Sequence, residues 1–118
     1  MKNYLFVLRK AAHSGSFVQE MLDIILTTAA FDQKVGVLLL DDGVFYLKNG
    51  QQPEMTGIKD TAAIFKALEL YDVEDFYTEQ ESLIDRGLKI TDLCLPVQAI
   101  YRKDIASLMK QFNVIVSG

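Results

Sequence analysis

The apolar run Val35-Gly36-Val37-Leu38-Leu39-Leu40 ends in two adjacent carboxylates and a glycine, Asp41-Asp42-Gly43. Paired acids can hold a cation or divide the roles of general acid and base. The spacing argues against both. The series D-x-[DN]-x-[DN]-G of a calcium loop is missing. Neighbouring side chains on an extended chain also point to opposite sides, so the pair does not converge on one target. Asp41, Asp42 and Gly43 therefore read as a turn, with one Asp as its cap. His13 is the only histidine and Cys94 the only cysteine. One of each, far apart, cannot make a zinc site. His13, Ser14 and Ser16 in "HSGS" precede a helical pattern, where an anion can be attracted. No phosphate-loop or dinucleotide fingerprint accompanies them, so a turn and an N-cap at Ser16 is the plainer reading.

Cys94 stands between Leu93 and Leu95. Reactive thiols need electropositive, partly open surroundings, and a thiol between leucines reads as an inert small hydrophobe. The alternative reading makes Cys94 a sulfur carrier. No metal and no cofactor is expected. Val44, Phe45, Tyr46 and Leu47 come directly after the Asp-Asp-Gly turn. Four large apolar side chains in a row cannot all face one core, so these four are the candidate interface with another protein.

These residues need elements to position them. Tyr4 to Leu8, Val35 to Leu40 and Val114 to Val116 are short unbroken apolar runs, as in strands buried on both faces. Asp75 to Thr78 and Leu93 to Val97 are weaker strand candidates, the latter an edge or strand end because of Pro96. Met21, Leu22, Ile25 and Ala29 form one helical stripe, with Ser16 and Gln19 as a capping box. Residues 60–70 give a second helix, and Thr78 with Glu81 suggests a capping box for a third. Gly87 fits the left-handed residue that ends that helix. Ile105, Leu108, Met109 and Phe112 keep the spacing of a last helix, with Lys110 in its final turn.

Strands alternating with helices imply a flavodoxin-like, doubly wound α/β domain with a mostly parallel five-stranded sheet. A chain of 118 residues suits a single domain, 1–118, with one hydrophobic core. The connection from Asp41 to Lys59 is long for a strand-to-helix link, which usually marks function or extra structure. The formal charge of −4, without a basic cluster, speaks against direct nucleic-acid binding. No apolar run approaches the roughly 20 residues of a membrane span. The slightly positive mean hydropathy hints at surface buried in an assembly. A lone cysteine agrees with a reducing, cytoplasmic setting.

Four signatures, taken in order, carry a resemblance: "EMLD" after the first strand, "LLLDDGVF", "NGQQP", and "ALELYDVEDFYTEQESLIDRGL". Together they resemble the DsrE/F-like family, in its TusC and DsrF branch, from Tyr4 to Val116. The resemblance implies a subunit of a sulfurtransferase relay for 2-thiouridine at the tRNA wobble position. It further implies a heterohexamer with TusB-like and TusD-like homologues, two copies of each, and an indirect link to a TusE-like carrier. A relay for dissimilatory sulfur oxidation would use the same fold. Sulfur-carrying homologues place the reactive Cys eight residues before the Gly of the R-G motif. Counted back from Gly87, that position holds Glu79. A carboxylate cannot carry sulfane sulfur, so the resemblance is to a non-carrier subunit without a catalytic cysteine.

Overall fold

A computed structural model describes residues 2–9, 17–31, 34–41, 43–44, 68, 73, 75–93 and 97–117. Within these the order is β1 (Asn3–Leu8), α1 (Phe17–Ala30), β2 (Lys34–Leu39), β3 (Asp75–Glu79), α2 (Gln80–Asp85), β4 (Gln98–Ile100), α3 (Ile105–Met109) and β5 (Val114–Ser117). The strands form one five-stranded sheet in the order β4-β3-β2-β1-β5, and every pairing is parallel. The chain lays down β1 to β4 in one direction and then returns to place β5 on the far side of β1. That reversal makes the fold doubly wound, as the alternation of elements predicts. Its strand order differs from the 2-1-3-4-5 order of flavodoxin itself.

The pleat divides each strand between two cores. Phe6, Leu8, Val35, Val37, Leu39 and Phe76 face one side, where they meet Met21 and Ile25 of α1 and Leu83 of α2. Leu5, Val7, Leu38 and Leu40 face the other, where Ile105 and Leu108 of α3 cover them. Burial on both faces explains why β1 and β2 read as unbroken apolar runs. Phe112 also packs on the second face. Its ring sits where a Cβ on Gly36 would come within 3.0 Å, and it meets the Tyr77 ring edge-on at a centroid distance of 6.5 Å.

Three local expectations need correction. Leu93 makes only an isolated bridge, and the fourth strand forms at Gln98–Ile100, after the proline instead of across it. Proline has no N–H for a ladder, so pairing is better made beyond it. Thr78 does not cap α2. It lies in β3, and its buried hydroxyl points at the Leu39 carbonyl oxygen, 3.4 Å away. The N-cap is Glu79, with no side-chain bond to the helix backbone. The last helix is also shorter than its apolar spacing predicts: a 3-10 turn at Arg102–Asp104 precedes α3, and Lys110 is its C-cap.

The end of α2 is as expected. Gly87 has φ +67°. The Leu88 N–H donates to the Leu83 carbonyl at 2.9 Å and the Gly87 N–H to the Ile84 carbonyl at 3.1 Å. This paired closure is the Schellman motif, which needs a left-handed residue at that place. Leu83 and Leu88 then share one core. Of the helix expected over 60–70 only Leu68 is described, and it is buried in the same core.

Candidate functional site at the carboxyl ends of the strands

In parallel α/β sheets ligands and partners meet the carboxyl ends of the strands. Three such ends converge here. At the end of β2, the Leu40 N–H donates to the Leu8 carbonyl at 3.0 Å and the Gly43 N–H to the Leu40 carbonyl at 2.9 Å. This tight turn presses Gly43 against the end of β1, where a Cβ would overlap the Leu8 carbonyl oxygen. Only glycine fits so close a backbone approach. Asp41 takes φ 51°, a left-handed conformation that Asp tolerates better than most residues.

The turn is tied to the next crossover. The Asp41 N–H donates to Ser82 Oγ at 3.0 Å, and the Ser82 hydroxyl donates to Glu79 Oε1 at 2.7 Å. Ser82 is 0% exposed and Glu79 is 6% exposed. A buried carboxylate is costly unless paired and hydrogen-bonded. Arg102, just past the end of β4, supplies the pair: its Nη2 lies 3.0 Å from the same Oε1. The Arg102 backbone N–H donates to Glu81 Oε1 at 2.8 Å, and its guanidinium lies 3.9 Å from Asp85 Oδ2. Burial of Glu79 works against its charge. Hydrogen bonds from Arg102 and Ser82, with the positive charges of Arg102 and Arg9, outweigh that and hold its carboxyl below the usual carboxylate range.

One oxygen thus joins three strand ends: β2 through Ser82, β3 through Glu79 itself, and β4 through Arg102. As chemistry the cluster is closed. A carboxylate held below its usual range, with one oxygen accepting from both Ser82 and Arg102, is a poor base, and a hydroxyl donating to it is not an activated nucleophile. Among the described residues no group of three His, Cys, Asp or Glu is placed to hold a metal. None of their helices is long and apolar enough to cross a membrane.

The residues singled out from sequence fall into three groups. Asp41 and Gly43 stand in the turn, and Asp41 enters the polar cluster through its backbone N–H. Val44 does not belong to an exposed patch: it is 0% exposed and lies in the core with Phe6 and Leu8. The turn at Gly43 directs it inward, which corrects its place in the candidate interface. His13, Ser14, Ser16, Asp42, Phe45, Tyr46, Leu47 and Cys94 lie outside the described residues. Sequence reasoning missed Ser82 and Arg102. Ser82 is three residues after Glu79, a spacing that brings side chains together on a helical turn. Arg102 gives no such signal, because only the β3–β4 pairing brings it near.

Fold and cluster together define the class: an all-parallel, doubly wound α/β domain whose carboxyl edge is tied by an ion pair between the buried Glu79 and the exposed Arg102. The chain belongs to the DsrE/DsrF-like family, whose model matches residues 2–117. It is 35% identical to a TusC protein homolog of Pseudomonas aeruginosa over 98% of each chain. It is 39% identical to the intracellular sulfur oxidation protein DsrF of Allochromatium vinosum, over 79% of this chain and 68% of that one. Among solved structures, the ychN protein of E. coli matches with a TM-score of 0.84 at 14% identity, over 100% of both chains. Protein MTH1491 of Methanobacterium thermoautotrophicum matches with a TM-score of 0.72 at 13% identity, again over 100% of both. At such identities the structural likeness concerns the fold alone.

Proposed function

We propose that this chain is a non-carrier, structural subunit of a sulfur-relay complex. It assembles in the cytoplasm with TusB-like and TusD-like homologues, two copies of each, and supports transfer toward a TusE-like carrier and 2-thiouridine formation at the tRNA wobble position. The observation that carries this reading is Glu79. The position where sulfur-carrying relatives of the resemblance hold a cysteine is here a buried carboxylate, locked by Ser82 and Arg102. Similarity to TusC homologs over nearly the whole chain supports the same assignment. The acidic chain suits protein partners better than RNA.

The likeness to DsrF favours a second reading in which the same subunit serves a relay for sulfur oxidation. The two readings differ in the final acceptor, not in the role of this chain. Co-purification with the homologous subunits tests the assembly. Loading the complex with persulfide sulfur and weighing each chain by mass spectrometry tests the non-carrier role. No added sulfur is expected on this chain, and Cys94→Ser is expected to leave transfer through the complex nearly unchanged. A persulfide on Cys94, or loss of transfer in a well-folded Cys94→Ser complex, would make this chain a carrier instead.

A further inference from the structure

The segment after β4 carries four exposed residues in succession, Tyr101, Arg102, Lys103 and Asp104. Tyr101 is 59% exposed, and Lys103 Nζ lies 5.9 Å from the centre of its ring. On α2, which sends Glu81 and Asp85 toward Arg102, Ile84 is 62% exposed. Asp85, its neighbour, approaches the Arg102 guanidinium only to 3.9 Å. The acids nearest Arg102 are otherwise engaged: Glu79 accepts from Ser82 and Arg102, and Glu81 accepts from the Arg102 backbone. Among the described residues, the other N–H groups of the guanidinium meet no acceptor within hydrogen-bond distance. Arg102 is therefore fixed at two points, through Nη2 and its backbone N–H, yet keeps donors facing outward. An arginine held in this way loses little freedom on binding, which is the basis of preorganised recognition.

We propose that Arg102, positioned by Glu79, is a docking group for a carboxylate on a partner protein chain, with Tyr101 and Ile84 as its apolar flank. Tyrosine and arginine are the residue types that most often dominate interface energy. A planar guanidinium with free N–H groups matches a carboxylate in a forked geometry. Nucleic acid fits less well. Glu79, Glu81, Asp85 and Asp104 offset Arg9, Arg86, Arg102 and Lys103, so the surface has no net positive charge to hold a polyanion, while a single carboxylate can still be hydrogen-bonded at close range. The inference rests on the proposed assembly with homologous subunits and assigns one contact within it.

The test is a titration of the full chain with the co-expressed homologous subunits, at low and high salt, with a thermal melt of every variant. Asp85→Asn removes the competing carboxylate and is expected to tighten binding by about two- to fivefold, the scale of one exposed ion pair. Glu79→Gln/Arg102→Gln keeps a neutral hydrogen-bonded pair and is expected to weaken binding by about tenfold or more, with most of the loss at low salt. Arg102→Lys keeps the charge without the fork and is expected to fall between. It decides the matter if the double variant does not fold. Wild-type-like binding by Arg102→Lys overturns the proposal, and so does wild-type-like binding by a folded double variant. So does weaker binding by Asp85→Asn, which would indicate a basic partner. Arg102-dependent binding of heparin that displaces the subunits would assign the surface to nucleic acid and overturn it as well. If the wild-type chain binds none of the homologous subunits, the assembly itself fails. If it binds and the variants match it, this contact alone fails.

Discussion

Arg102 Nη2 and Glu79 Oε1 lie 3.0 Å apart, although 23 residues separate them in the chain. The contact exists because β3 and β4 pair in parallel with Glu79 opposite Ile100, which places the residue two beyond Ile100 over the end of β3. The same oxygen takes the Ser82 hydroxyl at 2.7 Å. A carboxylate in this setting ties crossovers together, and the ion pair and hydrogen bonds that hold its carboxyl low make it a weak base.

That arrangement makes acid stability depend on Glu79. Its carboxyl is held below the usual carboxylate range in the fold and returns to that range on unfolding. Between the two values the unfolded chain binds the proton and the folded chain does not, so stability rises with pH there. The contribution is complete above the unfolded value and is lost as pH falls through the lower folded one. Glu79→Gln is expected to cost about 1–3 kcal/mol at neutral pH, the scale of a buried hydrogen bond to a charged group. The variant should also show a flatter acid limb. Melting temperature followed from pH 7 down to pH 3 measures both, and an acid limb as steep as the wild type would remove Glu79 as its source.

Gly43 and Gly87 are expected to respond differently to alanine. At Gly43 the new Cβ would overlap the backbone carbonyl of Leu8, which cannot swing aside as a side chain can. Gly43→Ala must shift the turn or the end of β1, and a loss of about 3 kcal/mol or more is expected, at or beyond the upper end for overpacking. At Gly87 nothing lies within 4 Å of the added methyl, and only the φ of +67° is unfavourable. That strain costs about 1–2 kcal/mol. Chemical denaturation of the two variants side by side checks the order, and a milder effect at Gly43 would contradict the packing at the end of β1.

Much of the fold is legible because burial on two faces writes itself into composition. "YLFVL" and "VGVLLL" are unbroken because both pleat faces of β1 and β2 are covered, and Gly87 declares the end of α2 by its backbone need. Boundaries are less legible. Thr78 and Glu81 have the right types for a capping box, but β3 continues through Thr78 and tertiary pairing wins over local preference. The polar cluster is the least legible part. Glu79 draws notice by its position relative to Gly87, whereas Arg102 reaches it through strand pairing that no local pattern encodes. Val44 shows the same limit: a run of four apolar residues does not tell which of them a turn will carry inward.

Variants at Val44 and Phe45 test the division between core and proposed interface most sharply. Val44 is 0% exposed and packs in the core with Phe6, Leu39 and Leu68. Val44→Ala removes two buried carbons and is expected to cost about 2 kcal/mol of folding stability, while a complex that still forms keeps near-normal affinity. Leu38→Ala, in the centre of the sheet, is expected to cost about 2–5 kcal/mol. Phe45, the next residue in the sequence, stays in the proposed interface with Tyr46 and Leu47. Its truncation is expected to weaken assembly about thirtyfold, as for an aromatic anchor worth about 2 kcal/mol, and to leave the melt of the isolated chain largely unchanged. Melts of all three variants, with pull-downs against the homologous subunits, separate the two roles. A Phe45→Ala chain that unfolds as readily as Leu38→Ala would place Phe45 in the core beside Val44. A Phe45→Ala chain with normal stability and normal assembly would move the interface away from this segment, leaving the Tyr101–Arg102 surface to account for the contact.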